Sequence, residues 1–248
     1  DATTKFAYGQ RRRYLLGEQL DSVMNYPFAN AILDFVKYPN AYEFFDRVMT
    51  VVENYPLQVT NSLMNHIGTH DTERAISRLA GDSCEGYGRH WQYEHNKLSE
   101  YEYLRGLSLM KIASLIQYTL PGVPSLYYGD EIGMEGRKDP FNRACMNWVE
   151  PNNELLRWYK RLGEIRIGCK VLAKGEFVPI YSEHKTIAYL RKDENSELLV
   201  AVNLDDTDVD IFVGEQWDNS YCFFDESATD GYIHLEPMRY TLLTRVIE

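Results

Sequence analysis

Asn61-Ser62-Leu63-Met64-Asn65-His66-Ile67-Gly68-Thr69-His70-Asp71 decides how the first part of this chain folds. A short, largely apolar run ends at a His-Asp pair, which reads as a short buried strand. Directly after it, Ala75, Ile76 and Leu79 keep the spacing of one helix face, and Gly81 stands at the C-cap position. Strand, polar pair, helix: this is the punctuation of a unit built for a parallel sheet.

Two similar units flank it. Upstream, residues 20–28 read as a strand stopped by Pro27, and a helix follows over 29–36. Asn40 with Glu43 then forms a capping box for a helix carrying Phe44, Phe45, Val48, Val51, Val52 and Tyr55 on one side, ended by Pro56. Downstream, residues 82–97 are polar, aromatic and irregular, so a loop is expected. Ser99 with Glu102 opens a helix to about Thr119 that is apolar nearly all round after Leu107, the mark of a buried helix. Pro121-Gly122 breaks it, residues 124–128 form a third strand, and Gly129 closes that strand. After a long loop, Asn152 or Asn153 caps a helix with Leu155, Trp158, Tyr159, Leu162 and Ile165 inward, ending at Gly168. Beyond residue 170 the pattern changes to seven short alternating runs: 176–181, 186–191, 197–203, 209–213, 221–224, 232–235 and 240–246. Turn signals at Asp205-Asp206 and Asp230-Gly231 separate some of them. The reading is therefore α/β then all-β: residues 1–168, then an antiparallel β-sandwich over 169–248.

Composition narrows the function. The 248 residues carry 26 basic and 37 acidic side chains, a net charge of −11, which repels phosphate backbones. Nucleic acid is thus a poor partner, and Arg11-Arg12-Arg13 reads as a solvated surface. No stretch approaches the roughly 18 apolar residues of a membrane span, so no membrane partner is expected. Cys84, Cys145, Cys169 and Cys222 are scattered without metal-ligand spacing, which fits thiols in a reducing, cytoplasmic compartment. The six histidines show no metal motif, and no phosphate-binding glycine loop occurs, so no cofactor is expected. Nineteen tyrosines suit sugar rings, but equally a core or an interface. The start, Asp1-Ala2-Thr3-Thr4-Lys5, lacks the basic and apolar segments of a signal peptide, which suggests a processed chain or a piece of a longer one.

In a sheet of strand–helix units, ligands sit at the C-terminal ends of the strands. Three ends carry polar groups here: Asn25-Tyr26, His70-Asp71 and Gly129-Asp130-Glu131. Asp71 is the sharpest candidate, and its blander reading is a helix N-cap. Asp130 and Glu131 could pair as carboxylates, but adjacent side chains diverge on an extended chain, which favours a structural role. Asp139 and Arg143, four apart, read equally as a surface ion pair worth under about 1 kcal/mol.

Taken together these motifs resemble the alpha-amylase superfamily of glycoside hydrolases. Thr69-His70-Asp71-Thr72-Glu73-Arg74 is similar to the motif after its seventh barrel strand. Residues 121–134, Pro-Gly-Val-Pro-Ser-Leu-Tyr-Tyr-Gly-Asp-Glu-Ile-Gly-Met, resemble its eighth strand and following loop. Asp139-Pro140-Phe141-Asn142-Arg143 and Met146-Asn147-Trp148 follow in the order of the neopullulanase and cyclomaltodextrinase branch, and residues 21–28 match that branch's sixth strand. The resemblance implies about strands six to eight of a (β/α)8 barrel followed by the sandwich, and retaining cleavage of α-glucosidic bonds in starch-derived oligosaccharides, cyclodextrins or pullulan. By that resemblance, Asp71 is the third catalytic carboxylate, which stabilises the oxocarbenium-like transition state. His70, Arg74, Asp139, Arg143 and Tyr26 are substrate-binding candidates. Thr69 stands where the family usually has Asn or Ser.

No stretch matches the family's nucleophilic Asp or general-acid Glu, which follow its fourth and fifth strands; Asp1-Ala2 resembles at most the tail of the acid loop. The chain alone is therefore expected to be inactive, with an α-glucan oligosaccharide and the missing N-terminal barrel half as its partners. Bare inward faces around Val23, Leu63 and Leu126, together with unpaired barrel edges, point to a homo-oligomer, or to the 1–20 segment folding over them. The alternative is a non-catalytic carbohydrate-binding or interaction module.

Overall fold

The computed structural model describes residues 6–11, 13–15, 18–149 and 152–247. Asp1-Ala2 and Arg12 therefore lie outside the described residues. In chain order the elements are β1 (Phe6–Ala7), β2 (Gln10–Arg11), α1 (Tyr26–Lys37), α2 (Ala41–Asn54), α3 (Leu57–Thr60), β3 (Met64–Asn65), α4 (Ala75–Ala80), α5 (Arg89–Glu94), α6 (Glu100–Thr119), β4 (Val123–Pro124), α7 (Asn153–Gly168) and α8 (Val171–Lys174). The all-β part follows: β5 (Glu176–Glu183), β6 (Thr186–Lys192), β7 (Ser196–Asn203), β8 (Val209–Phe212), β9 (Tyr221–Cys222), β10 (Ala228–Thr229), β11 (Tyr232–Leu235) and β12 (Arg239–Val246).

The first part is a narrow parallel wedge backed by helices. Met24 bridges to Met64 in parallel, and β3 pairs in parallel with β4, Met64 opposite Val123 and Asn65 opposite Pro124. The ladders are shorter than the sequence predicts. Pro27 is the reason in the first: it sits in the opening turn of α1, where its missing N–H costs nothing, so it starts a helix rather than stopping a strand. In the second, the backbone leaves β3 to pass against Asp130. A Cβ on Gly68 would lie 2.3 Å from the Asp130 carboxylate.

Buried amides tie the three strand ends together. Asn25 caps α1 by accepting from the Phe28 N–H, and its amide donates to the Asn65 side chain at 3.0 Å. Asn65 donates onward to the Pro121 carbonyl at 2.7 Å. Gln117 of α6 donates to the carbonyls of Asn65 and Ser125. Gly122, at φ +114°, leaves the room this needs; a Cβ there would lie 2.7 Å from the Asn65 amide oxygen.

The capping signals resolve in two ways. Ser99 and Glu102 cap α6 reciprocally, as the box requires. Asn40 caps α2, but the Glu43 carboxylate turns to Arg47. As its composition predicts, α6 is largely buried from Leu109 onward, with α1, α4 and α7 packed around it, while Tyr101 and Leu104 of its first turns stay exposed. Residues 82–97 are not merely a loop: α5 lies inside them. Its signal is a four-residue aromatic spacing, and Tyr87, Trp91 and His95 stack into a column.

All seven predicted runs of the all-β part are strands, and β10 is an eighth. They form a sandwich of two sheets, ordered β5-β6-β7-β12-β9 and β10-β11-β8. The strand β7 is buried along nearly its whole length, because its sheet is covered on both faces. Leu198, Val200 and Val202 join the core shared with the helices, while Leu199 and Ala201 face the second sheet. Buried Arg191 locks this junction, donating to the Thr119 and Gly175 carbonyls at 2.8 Å each. The four cysteines are free. Among the described residues no helix is long and apolar enough to cross a membrane.

The expectation of bare inward faces needs correcting at one residue. Leu63 is fully buried, whereas Val123 and Leu126 are 53% and 42% exposed, and Val23 is partly covered. Leu15 joins the core, but Phe6 and Tyr8 stay exposed on the β1–β2 hairpin, which pairs only with itself among the described residues.

The cap on α6 gives a direct test. Ser99→Ala removes a hydroxyl that satisfies the Glu102 N–H, and should cost about 1 kcal/mol. Urea unfolding should show a lower midpoint with an unchanged slope.

Candidate active site

Asp71 stands at the open end of the wedge, just past β3. It is not a helix cap. The helix α4 begins at Ala75, and the N-cap position falls on Arg74 with no side-chain bond. The Asp71 side chain is instead 55% exposed and central to a polar cluster. Its Oδ1 lies 3.2 Å from His70 Nε2 and 3.8 Å from Arg143 Nη2, and its Oδ2 accepts from the Tyr26 hydroxyl at 3.5 Å. The Thr69 hydroxyl accepts from the Asp71 N–H at 3.1 Å, so threonine shapes this turn with its oxygen. Four sequence-predicted residues thus converge: Tyr26, His70, Asp71 and Arg143.

Asp139 joins through Arg143, whose Nε lies 3.0 Å from its carboxylate and donates at 3.0 Å to the His70 carbonyl. The pair is half exposed, as a surface ion pair would be, yet its guanidinium is held beside Asp71. Asn142 does much of the holding, and sequence reasoning missed it. It is fully buried and donates to the His70 and Thr72 carbonyls at 2.8 and 2.6 Å. Its one signal is its place in the Asp139–Arg143 motif.

Arg74 is the correction to the expected set. Its side chain has no exposed surface, so it offers nothing to a sugar. The guanidinium lies 4.5 Å from the ring centres of both Tyr127 and Tyr128, donates to the Tyr128 carbonyl, and sits 3.7 Å from Asp130. It braces the loop after β4 from beneath. Glu131 is structural as well, its carboxylate accepting from the Gly129 N–H at 2.7 Å. The two carboxylates do diverge, one buried and one turned back on its own loop.

His66 is a second missed residue. It lies buried under Tyr26, rings edge to face at 4.6 Å, and burial holds its pKa down at about 4. It is therefore a neutral prop for the tyrosine at neutral pH. Beside the cluster lies a cleft of about 420 Å³, lined by Asp71, Glu73, Lys37, Ser83, Glu85 and Lys138 among others. Among the described residues no three His, Cys, Asp or Glu side chains gather as metal ligands would.

The buried carboxyl under the site makes stability depend on pH. Burial pushes Asp130 up to about 7, against the pull of Arg74. Between about pH 4 and 7 the unfolded chain has lost this proton while the folded protein keeps it, so stability falls as pH rises through that window. His66 acts oppositely, losing stability as pH falls from about 6.5 to 4. Asp130→Asn removes only the first effect. Its urea midpoint should gain on the wild type between about pH 5 and pH 8; parallel pH courses would refute the assignment.

Known proteins agree with this architecture. A cyclomaltodextrinase from a Bacillus species is 33% identical over 198 residues, covering 77% of this chain and 31% of that protein. Neopullulanase 2 of Thermoactinomyces vulgaris is 30% identical over 196 residues, covering 77% of this chain and 29% of its own. This chain therefore spans about a third of the length of such relatives. A solved structure of a cyclomaltodextrinase superposes with a TM-score of 0.75 at 28% identity, over 93% of this chain and 38% of that one. A debranching enzyme from Nostoc punctiforme shares the fold, with a TM-score of 0.74. The family model described as alpha amylase, catalytic domain, matches residues 5–183. With a parallel wedge equivalent to part of a (β/α)8 barrel and a sandwich behind it, the chain belongs to the alpha-amylase family.

Proposed function

We propose that this chain supplies the third carboxylate and part of the sugar-binding wall of a retaining α-glucan hydrolase of the cyclomaltodextrinase and neopullulanase type. One observation carries the reading: Asp71 is released from any capping duty and stands exposed among Tyr26, His70 and Arg143. Such a carboxylate accepts hydrogen bonds from vicinal sugar hydroxyls. It also sets negative charge near the positive charge that develops at the anomeric carbon. Arg143 and Asp139 offer a donor and an acceptor to the neighbouring ring.

Bond cleavage with retention needs two more carboxyl groups about 5–5.5 Å apart, one as nucleophile and one as acid. No part of this sequence matches the family's motifs for either. In our reading they belong to the barrel half that the longer relatives carry, and Val123 and Leu126 are the surface that half covers. Without it, the chain pairs that surface with a second copy. The four free cysteines support a cytoplasmic setting.

The 248-residue chain should release no reducing sugar from maltotriose or a cyclodextrin. Hydrolysis that Asp71→Asn abolishes would overturn the proposal. Calorimetry with maltotriose should show affinity falling about tenfold in Asp71→Asn, the scale of one hydrogen bond to a charged group. Light scattering should report a dimer or larger, and a clean monomer would remove the pairing through Val123 and Leu126.

A further inference from the structure

The segment between α4 and α6 has no part in the chemistry above, yet it is fastened to the site. Arg137 clamps both its ends: Nε donates to the His95 carbonyl at 2.8 Å and Nη1 to the Asp82 carbonyl at 2.7 Å. The Asn96 side chain in turn accepts from the Arg137 N–H at 3.0 Å. Arg137 leads straight into the turn holding Asp139 and Arg143, so segment and turn are built as one piece. Ser83 and Glu85 of the segment line the same cleft as Asp71.

Its aromatic rings are not equivalent. Trp91 is stacked on both sides, with Tyr87 at 4.1 Å and His95 at 4.2 Å, rings nearly parallel. That column consumes its ring faces internally. Tyr93 stands apart from it. Its ring neighbour is Phe141, tilted with centres 6.3 Å apart, and Tyr93 is 71% exposed. Phe141 lies midway between Asp139 and Arg143, so Tyr93 borders the turn that carries the sugar-binding candidates. Gln92 beside it is buried, but Glu94 and, a turn back, Arg89 and His90 are exposed, a polar setting that suits an amphipathic ligand better than an apolar protein surface.

We infer that Tyr93 is a stacking platform for an additional glucose ring of a longer α-glucan, beyond the ring that Asp139 and Arg143 contact. This rests on the α-glucan reading above. The physical basis is that a glucopyranose presents an apolar face of C–H groups and a rim of hydroxyls. An exposed tyrosine offers a flat apolar ring of matching size, with little rotamer freedom to lose. The clamp at Arg137 keeps that ring at a fixed offset from Arg143, so the platform is preorganised and favours long chains over short ones.

The test is the ratio of affinities for maltohexaose and maltotriose, measured by calorimetry on the 248-residue chain. The unaltered chain should bind the hexaose about tenfold more tightly. Tyr93→Ala should bring the ratio close to one, while Tyr93→Phe should keep most of the gain. Tyr42→Ala, which removes an equally exposed tyrosine from α2, should keep all of it. A ratio near one in the unaltered chain, or a gain that survives Tyr93→Ala, overturns the platform and leaves the α-glucan reading standing. Failure to bind either sugar by a chain that circular dichroism shows to be folded overturns both.

Discussion

The line of buried amides from Asn25 through Asn65 to the Pro121 carbonyl sets the geometry of everything above it. With ladders only one or two residues long, backbone pairing alone cannot fix how three strand ends sit beside each other. The amides do so with directional bonds in a dry interior, where a slip would leave buried donors and acceptors unpaired at a cost of about 1–3 kcal/mol each. Asn25 serves twice, since the same side chain caps α1 and thereby sets where Tyr26 begins the helix. Tyr26 reaches Asp71 because of that placement.

A second constraint acts from below the loop after β4. Arg74 and Asp130 are both buried, and each leaves polar atoms without a partner. Burying such a pair is no bargain in stability, because desolvation offsets most of the attraction. What it provides is position. The planar guanidinium is held against two tyrosine rings and a carbonyl, which fixes the loop leading to Asp139 and Arg143. Arginine suits this place where lysine would not, since only a flat, delocalised cation lies against aromatic faces while donating in its own plane.

Local chemistry was the legible part. Ser99 with Glu102, Asn152 before α7 and the alternating runs after residue 170 announce themselves through bonds made within a few residues. Asp71 is legible as a polar group at a strand end, the Asp139–Arg143 pair by its four-residue spacing in the following loop, and both as parts of motifs. Less legible was anything decided by distant contact. Arg74, one turn beyond Asp71, looked like a sugar ligand, and only the tyrosines fifty residues away explain its burial. His66 and Asn142 carry no local signal that separates a prop from a ligand. Pro27 misled because proline ends a strand and opens a helix with equal ease, and the Asn25 cap settles which. The column of Tyr87, Trp91 and His95 was written in plain four-residue spacing, but polar neighbours hid it.

The polar cluster around Asp71 is open to water, and this sets the strength of its charge pairs. Asp71 and Arg143 face each other at 3.8 Å with about half of each side chain exposed. At such exposure water screens the pair, and its strength stays under about 1 kcal/mol. The same charges in a closed barrel would act through a medium of lower effective dielectric, where a fixed carboxylate stabilises developing positive charge far more strongly. Parallel sheets are covered on both faces, and here the wall of Val123 and Leu126 is open. An element that packs on those two residues and reaches over Asp71 would exclude water from the cluster and strengthen the attraction between Asp71 and Arg143.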